Sequence, residues 1–120
     1  MATSGKHHRL HYVEFTAPDL GAVKAFYGAA FGWKFVDYSP TYTTFTSESA
    51  GLDGGFEQGE GNARGALVIL SSDDLGPSER AVVAAGGTIS TPAFDFPGGR
   101  RFHFPDVGGN ELAAWAPAEA

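Results

Sequence analysis

One short phrase is written twice in this chain. An apolar run enters Asp19-Leu20, an amphipathic stretch follows, and Gly32 ends it; later an apolar run enters Asp74-Leu75, a second amphipathic stretch follows, and Gly87 ends that one. Asp19 and Asp74, Leu20 and Leu75, and Gly32 and Gly87 are each 55 positions apart. A chain with one unrepeated core has no reason to keep three landmarks in step, so two βα units in one small domain are expected.

A length of 120 residues fits one domain, or two half-domains sharing a core, and excludes a two-domain enzyme. Ten Phe promise a bulky core. The net charge of −6 comes from scattered acids, and the eight Lys and Arg are dispersed apart from Arg100-Arg101, so neither nucleic acid nor an anionic membrane is an expected partner. With no cysteine, disulfides, thiolate metal sites and a Cys nucleophile are excluded. A reducing compartment is compatible with this, and the cytoplasm is the expected location. Met1 to Arg9 has no apolar stretch of the kind a secretory signal needs, and no segment reaches the roughly 18 apolar residues of a membrane span. His7 and His8 read as a solvated terminal tail without a role.

Leu10 to Thr16 alternates as a strand, with His11, Val13 and Phe15 on one face and Tyr12, Glu14 and Thr16 on the other. Pro18 stops it, and Asp19 caps a helix over Leu20 to Phe31 whose apolar residues are Leu20, Val23, Phe26, Tyr27, Ala30 and Phe31. Gly32 terminates the helix in a left-handed conformation. Strands are expected at Lys34 to Tyr38, Tyr42 to Ser47 and Gly54 to Gln58, before a charged, Gly-rich linker at about 59–64. The second half repeats the order: a strand at Ala66 to Ser71, a helix capped by Asp74 or Ser78 and running to about Ala85, then strands at Thr88 to Phe94, Arg100 to Phe104 and Glu111 to Trp115. Each half reads β-α-β-β-β.

The strand leading into Pro18-Asp19-Leu20, the run Ala25-Phe26-Tyr27-Gly28 followed by Phe31-Gly32-Trp33, and the stretch Phe104-Pro105-Asp106-Val107-Gly108-Gly109-Asn110-Glu111-Leu112 occur in an order that resembles the vicinal oxygen chelate superfamily. That superfamily includes glyoxalases, extradiol dioxygenases and the bleomycin and fosfomycin resistance proteins. The resemblance spans about Leu10 to Trp115. It implies an α+β fold of two βαβββ modules forming a curved mixed sheet around a cavity, within a homodimer. Residues 1–120 would be a single domain, with module one at about 9–58 and module two at about 65–117.

Members usually hold a divalent metal through His or Glu on the first strand of each module and Glu on the last strand. Imidazole and carboxylate ligands leave open positions where adjacent substrate oxygens chelate and the metal acts as a Lewis acid. Counting from Asp19, Asp74 and Asp106, the corresponding positions here fall near Tyr12, Leu67 and Ala113, none of them a usual ligand. The expectation is therefore a protein with no metal and no other cofactor. A one-residue bulge would shift the count and bring His11 onto the cavity face, with His103, Glu14 and Glu111 as its companions.

Five residues are candidate ligand contacts: Tyr12, Glu14, His103, Glu111 and Trp115. Glu14 shares a strand face with Tyr12, where a carboxylate can act as a base or can serve only to join structural elements. Glu111, Ala113 and Trp115 share one face of the last strand, where Trp115 offers a stackable wall or ordinary core, and Glu111 either meets ligand or caps the glycine turn. Arg101 and His103 alternate against Phe102 and Phe104, which are the better core candidates; Arg101 and His103 would then be available to an anionic ligand. By parity His11 faces the helix side or the surface. No Gly-x-Gly-x-x-Gly phosphate cradle, Gly-x-Ser-x-Gly elbow or His-Glu-x-x-His pair is present. No catalytic residue is assigned. The expected function is binding of a small organic molecule; the alternatives are a metal-dependent glyoxalase-type lyase or isomerase, or a dioxygenase, and a closed scaffold acting through dimer contacts.

Overall fold

The computed structural model describes residues 6–60, 65–106 and 109–118. The linker expected at 59–64 lies in part, and Val107-Gly108 of the expected turn wholly, outside the described residues. Contacts divide the chain into two units: Tyr12–Leu67, and a second that joins Met1–His11 to Val68–Ala120.

The continuous unit opens in strand β1 (Leu10–Ala17), followed by helix α1 (Leu20–Phe31), strand β2 (Phe35–Ser39), strand β3 (Tyr42–Phe45), a one-turn helix α2 (Ser47–Ala50) and strand β4 (Asp53–Gln58). Its strand order is β2-β3-β4-β1. β1 and β4 are parallel, with Glu14 opposite Gly55; the β2/β3 and β3/β4 ladders are antiparallel. The start of α1 is set by Pro18 and by Asp19, whose Oδ1 accepts the Ala22 N–H at 3.0 Å. Its end is set by Gly32 at φ 74°: the Gly32 N–H donates to the Gly28 carbonyl at 3.0 Å and the Trp33 N–H to that of Tyr27 at 3.3 Å. A strand expected to run on to Ser47 stops at Phe45, because the Asp53 carboxylate accepts the Ser47 N–H at 2.7 Å and the chain turns into α2.

Alternation in β1 sorts the side chains. Val13, Phe15 and Ala17 join Phe45, Phe56, Leu20, Val23, Tyr27 and Trp33 in a core beneath α1. Its rings pack closely, with centroids 4.6 Å apart for Tyr27 and Trp33 and 4.9 Å for Phe15 and Phe56. Phe26 and Phe31, expected on the buried stripe, remain exposed and meet each other edge-on at 6.3 Å. Leu20, Val23 and Tyr27 are the helix positions packed on the core, and Phe26 and Phe31 sit outside that contact.

The discontinuous unit contains strand β5 (Leu67–Ser71) from Val68 onward, helix α3 (Leu75–Ala84), and strands β6 (Thr91–Phe96), β7 (Gly99–Pro105) and β8 (Glu111–Pro117). The order is β5-β8-β7-β6, with β5 and β8 parallel. The first strand of each module therefore lies parallel to its last, as the 55-residue repeat requires. Asp74 is the N-cap of α3, and Gly86 at φ 94° follows the helix end. Pro97-Gly98, with Gly98 at φ 107°, joins β6 to β7 in a two-residue turn that pairs Phe96 with Gly99 and Phe94 with Arg101. Leu75, Phe102 and Ala114 form the core, with Val82, Ile89, Ala93 and Phe104 around them.

Residues 6–9 are tied to this unit. The His8 N–H donates to the Ser71 carbonyl at 2.6 Å and the Ser71 N–H to the Arg9 carbonyl at 2.9 Å. His8 Nε2 lies 2.9 Å from Ser78 Oγ, and His7 Nδ1 accepts the Asp73 N–H at 2.8 Å. His7 and His8 are exposed, as their polar surroundings in the sequence suggest, yet both meet residues far along the chain.

Candidate functional site

In the continuous unit, β1 and β3 bring Tyr12, Glu14 and Tyr42 together. The Tyr42 hydroxyl donates to Glu14 Oε1 at 3.1 Å, and the two phenol oxygens are 2.7 Å apart. Tyr42 has one proton and gives it to the carboxylate, so Tyr12 supplies the proton of the shorter bond. Burial raises both phenols far above their ordinary range, and the Glu14 charge raises them further. Both are therefore neutral donors in a chain directed at Glu14. The backbone must leave room for them: a Cβ on Gly55 would stand 2.6 Å from the Tyr12 hydroxyl and 2.7 Å from that of Tyr42. Sequence reasoning does not single out Tyr42 or Gly55, although the alternation of β3 places Tyr42 in a strand.

In the discontinuous unit, β7 and β8 carry His103, Glu111 and Trp115. Arg101 pairs with Trp115, His103 with Ala113 and Pro105 with Glu111 across the ladder, which puts Arg101, His103, Glu111, Ala113 and Trp115 on one face, opposite the one Phe102 gives to the core. Glu111 accepts from Ser90 Oγ at 3.0 Å, and His103 Nδ1 lies 3.4 Å from its other oxygen. The carboxylate thus fixes the imidazole rather than capping the preceding turn, where Asp106 Oδ1 accepts the Asn110 N–H at 2.9 Å. The guanidinium of Arg101 rests over Phe94 and Phe96, 5.5 and 5.3 Å from their centroids. Phe94 and Phe96 are site residues that sequence reasoning misses; the alternation of β6 and the Pro97-Gly98 hairpin together carry the signal that they face Arg101.

Trp115 is only 1% exposed. Its indole stacks on His11 at 5.1 Å and meets Phe96 at 6.4 Å. Strand parity assigns His11 to the helix side or the surface; instead it shares the Trp115 face.

Of the residues nearest the three positions counted from the sequence, Tyr12 is a buried neutral phenol and Ala113 is fully buried. Neither a neutral phenol nor a methyl is a usual ligand for a divalent cation. Among the described residues, no group of three or more His, Cys, Asp or Glu is placed to hold a metal ion. Among the same residues, no helix is long and apolar enough to cross a membrane.

Paired βαβββ modules, each with its first and last strands parallel, define the class. Residues 9–114 match the family model for the Glyoxalase/Bleomycin resistance protein/Dioxygenase superfamily, and the chain belongs to that superfamily. Its fold is similar to that of methylmalonyl-CoA epimerase from Mycobacterium tuberculosis, at TM-score 0.75 and 14% identity, covering 98% of this chain and 95% of that one. A variant of Streptomyces coelicolor methylmalonyl-CoA epimerase, solved in complex with 2-nitronate-propionyl-CoA, superposes at TM-score 0.64 with 14% identity over 95% of this chain and 100% of that one. The Mn(II)-bound glyoxalase from Novosphingobium aromaticivorans gives 0.64 with 20% identity over 96% of this chain and 42% of that one. No curated protein matches the sequence.

Proposed function

We propose that this superfamily member is a metal-independent binding protein for a small organic molecule, acting as one domain of two modules, at about 9–58 and 65–117, in a cytoplasmic homodimer. The observation that carries this reading is the Trp115 face. Around the buried indole, the half-buried rings of His11, Phe94 and Phe96 and the Arg101 guanidinium seated on aromatic faces form a wall suited to a planar organic molecule. His103, oriented by Glu111, adds a polar group on the same face. Within the continuous unit, Tyr12 and Glu14 form a separate polar cluster whose carboxylate is held by phenols. Glu14 and Glu111, the carboxylates a metal-dependent lyase, isomerase or dioxygenase would recruit, are both engaged by protein donors. Exposed Phe26, Phe31, Val36 and Tyr38 are apolar surface of the kind a second copy covers.

The test is metal analysis of protein purified without a polyhistidine tag, followed by thermal-shift screening of small aromatic compounds with and without EDTA. The expected result is substoichiometric metal and compounds that raise the Tm equally in both conditions, because a native-state ligand stabilises by mass action. Near-stoichiometric zinc, nickel, manganese or iron, or shifts abolished by EDTA, overturns the reading.

A further inference from the structure

We propose that His7 makes the opening segment an acid-released clasp: residues 6–9 hold the corner between β5 and α3 while the His7 ring is neutral, and let go when it takes up a proton. Counting protons shows which ring senses acid. The Asp73 N–H can only donate, so His7 Nδ1, 2.8 Å away, meets it with a bare lone pair. His8 plays the opposite part. The Ser72 hydroxyl gives its one proton to the Asp74 carbonyl at 3.0 Å, so the proton in the 2.7 Å contact between Ser72 and Ser78 belongs to Ser78. Ser78 has none left for His8, whose Nε2–H therefore donates across 2.9 Å. A ring that donates from Nε2 keeps that bond whether neutral or protonated; a ring that accepts at Nδ1 does not.

A proton on His7 Nδ1 sets two donors face to face. Asp73 Oδ2 lies 3.7 Å from the same nitrogen, beyond hydrogen-bond reach, so the ring must leave the amide to use it. That carboxylate is largely exposed, and an ion pair in water adds little. The new charge also falls on a ring stacked 3.7 Å from His8, where a second imidazolium would repel it. The charged groups around the two rings are Asp73 and Asp74 of the corner, Glu79 and Arg80 of α3, with Arg80 beside Asp74 at Gly76, and Lys6 and Arg9 of the segment itself. Imidazole is the one side chain among them whose ordinary titration falls between about pH 5 and 8. Docking and protonation therefore compete: the clasp is complete above the ordinary imidazole range near pH 6.5 and is lost as pH falls through it. The main-chain bonds from His8 to Ser71 and from Ser71 to Arg9 depend on the same docking. His8 also holds φ 59°, a left-handed backbone that residues other than glycine rarely adopt, so nothing local keeps the segment in place once the contacts go. Release takes the His8 ring off Ser78, which is 5% exposed when docked.

The experiment follows amide exchange and ring signals by NMR on the full chain at pH 7.5 and 5.5, with rates corrected for the intrinsic effect of pH. Protection of the Ser71 and Asp73 amides is expected to fall about fivefold or more in wild type, the scale of one neutral hydrogen bond. Protection of the Phe102 amide, in the buried core of the same unit, is expected to stay constant, which separates local release from unfolding. His7→Asn offers a side-chain oxygen where Nδ1 stood and cannot titrate; it is expected to keep the Ser71 and Asp73 amides protected at pH 5.5. His8→Gln keeps a donor and is expected to lose protection as wild type does. Equal protection at both pH values in wild type, an undiminished loss in His7→Asn, or a loss that disappears in His8→Gln overturns the assignment. Should His7→Asn fail to dock at pH 7.5, the wild-type ring decides. Its nitrogen shifts are expected to show Nδ1 bare at pH 7.5 and to titrate with the midpoint of the Asp73 amide signal; a proton on Nδ1 at pH 7.5, or two unrelated midpoints, overturns the clasp.

Discussion

Gly55 is the residue on which the phenol chain depends. It sits opposite Glu14 in the β1/β4 ladder, and the space its missing side chain leaves is occupied by two hydroxyls. Gly55→Ala forces the backbone or both rings to move and breaks hydrogen bonds among buried groups. The expected loss is about 1–3 kcal/mol in urea unfolding. The same substitution in a Tyr42→Phe background is expected to cost less, since one of the two obstructing oxygens is already gone; equal costs in both backgrounds would show that Gly55 matters for another reason. At this scale the sequence was legible wherever one strand decided the matter. Tyr12 with Glu14, and Arg101 with His103, follow from counting by twos. Gly55 was not legible, because its role is set by side chains from β1 and β3 meeting over β4. His11 was misread by the same parity rule, which held from Tyr12 onward but did not anticipate its stacking on Trp115, 104 positions away.

An ionic contact ties helix α1 to the neighbouring strand. Lys24 Nζ lies 3.0 Å from both carboxylate oxygens of Asp37, and Thr43 Oγ1 donates to Asp37 at 2.8 Å. The Lys24 bond, with help from Thr43, lowers the Asp37 carboxyl below its ordinary range. A carboxyl depressed in the folded state stabilises the fold above its unfolded pKa, about 4, and that contribution is lost as pH falls through the lower folded value. Wild type is therefore expected to lose urea resistance more steeply than Asp37→Asn below about pH 4, with the two curves parallel above about pH 5. Identical profiles would mean the exposed contact is fully screened. Element boundaries follow the same logic of near and far. Asp19 and Gly32 set the limits of α1 through bonds spanning a few residues, so the sequence gives them away. The strand end at Phe45 depends on Asp53 reaching back to Ser47, which no local propensity announces.

Across the whole molecule the repeat was readable because each module needs the same landmarks to lay its last strand beside its first. The contribution of residues 6–9 was not, since short polar segments look alike whether solvated or bound. Removing residues 1–8 deletes the His8 bonds to Ser71 and Ser78 and the His7 bond to Asp73, and is expected to lower stability by about 1–3 kcal/mol. An unchanged urea midpoint would show that these exposed contacts add nothing to stability. One unit is an unbroken stretch of chain, while the other joins the opening residues to chain made only after that stretch is complete. Closing so long a loop carries an entropic cost that is met only once both parts exist. On a ribosome, the stretch from Tyr12 to Leu67 has all its pairing partners in hand early. The leading segment must instead wait for Ser71, Asp73 and Ser78, and the His11 ring goes unstacked until translation delivers Trp115.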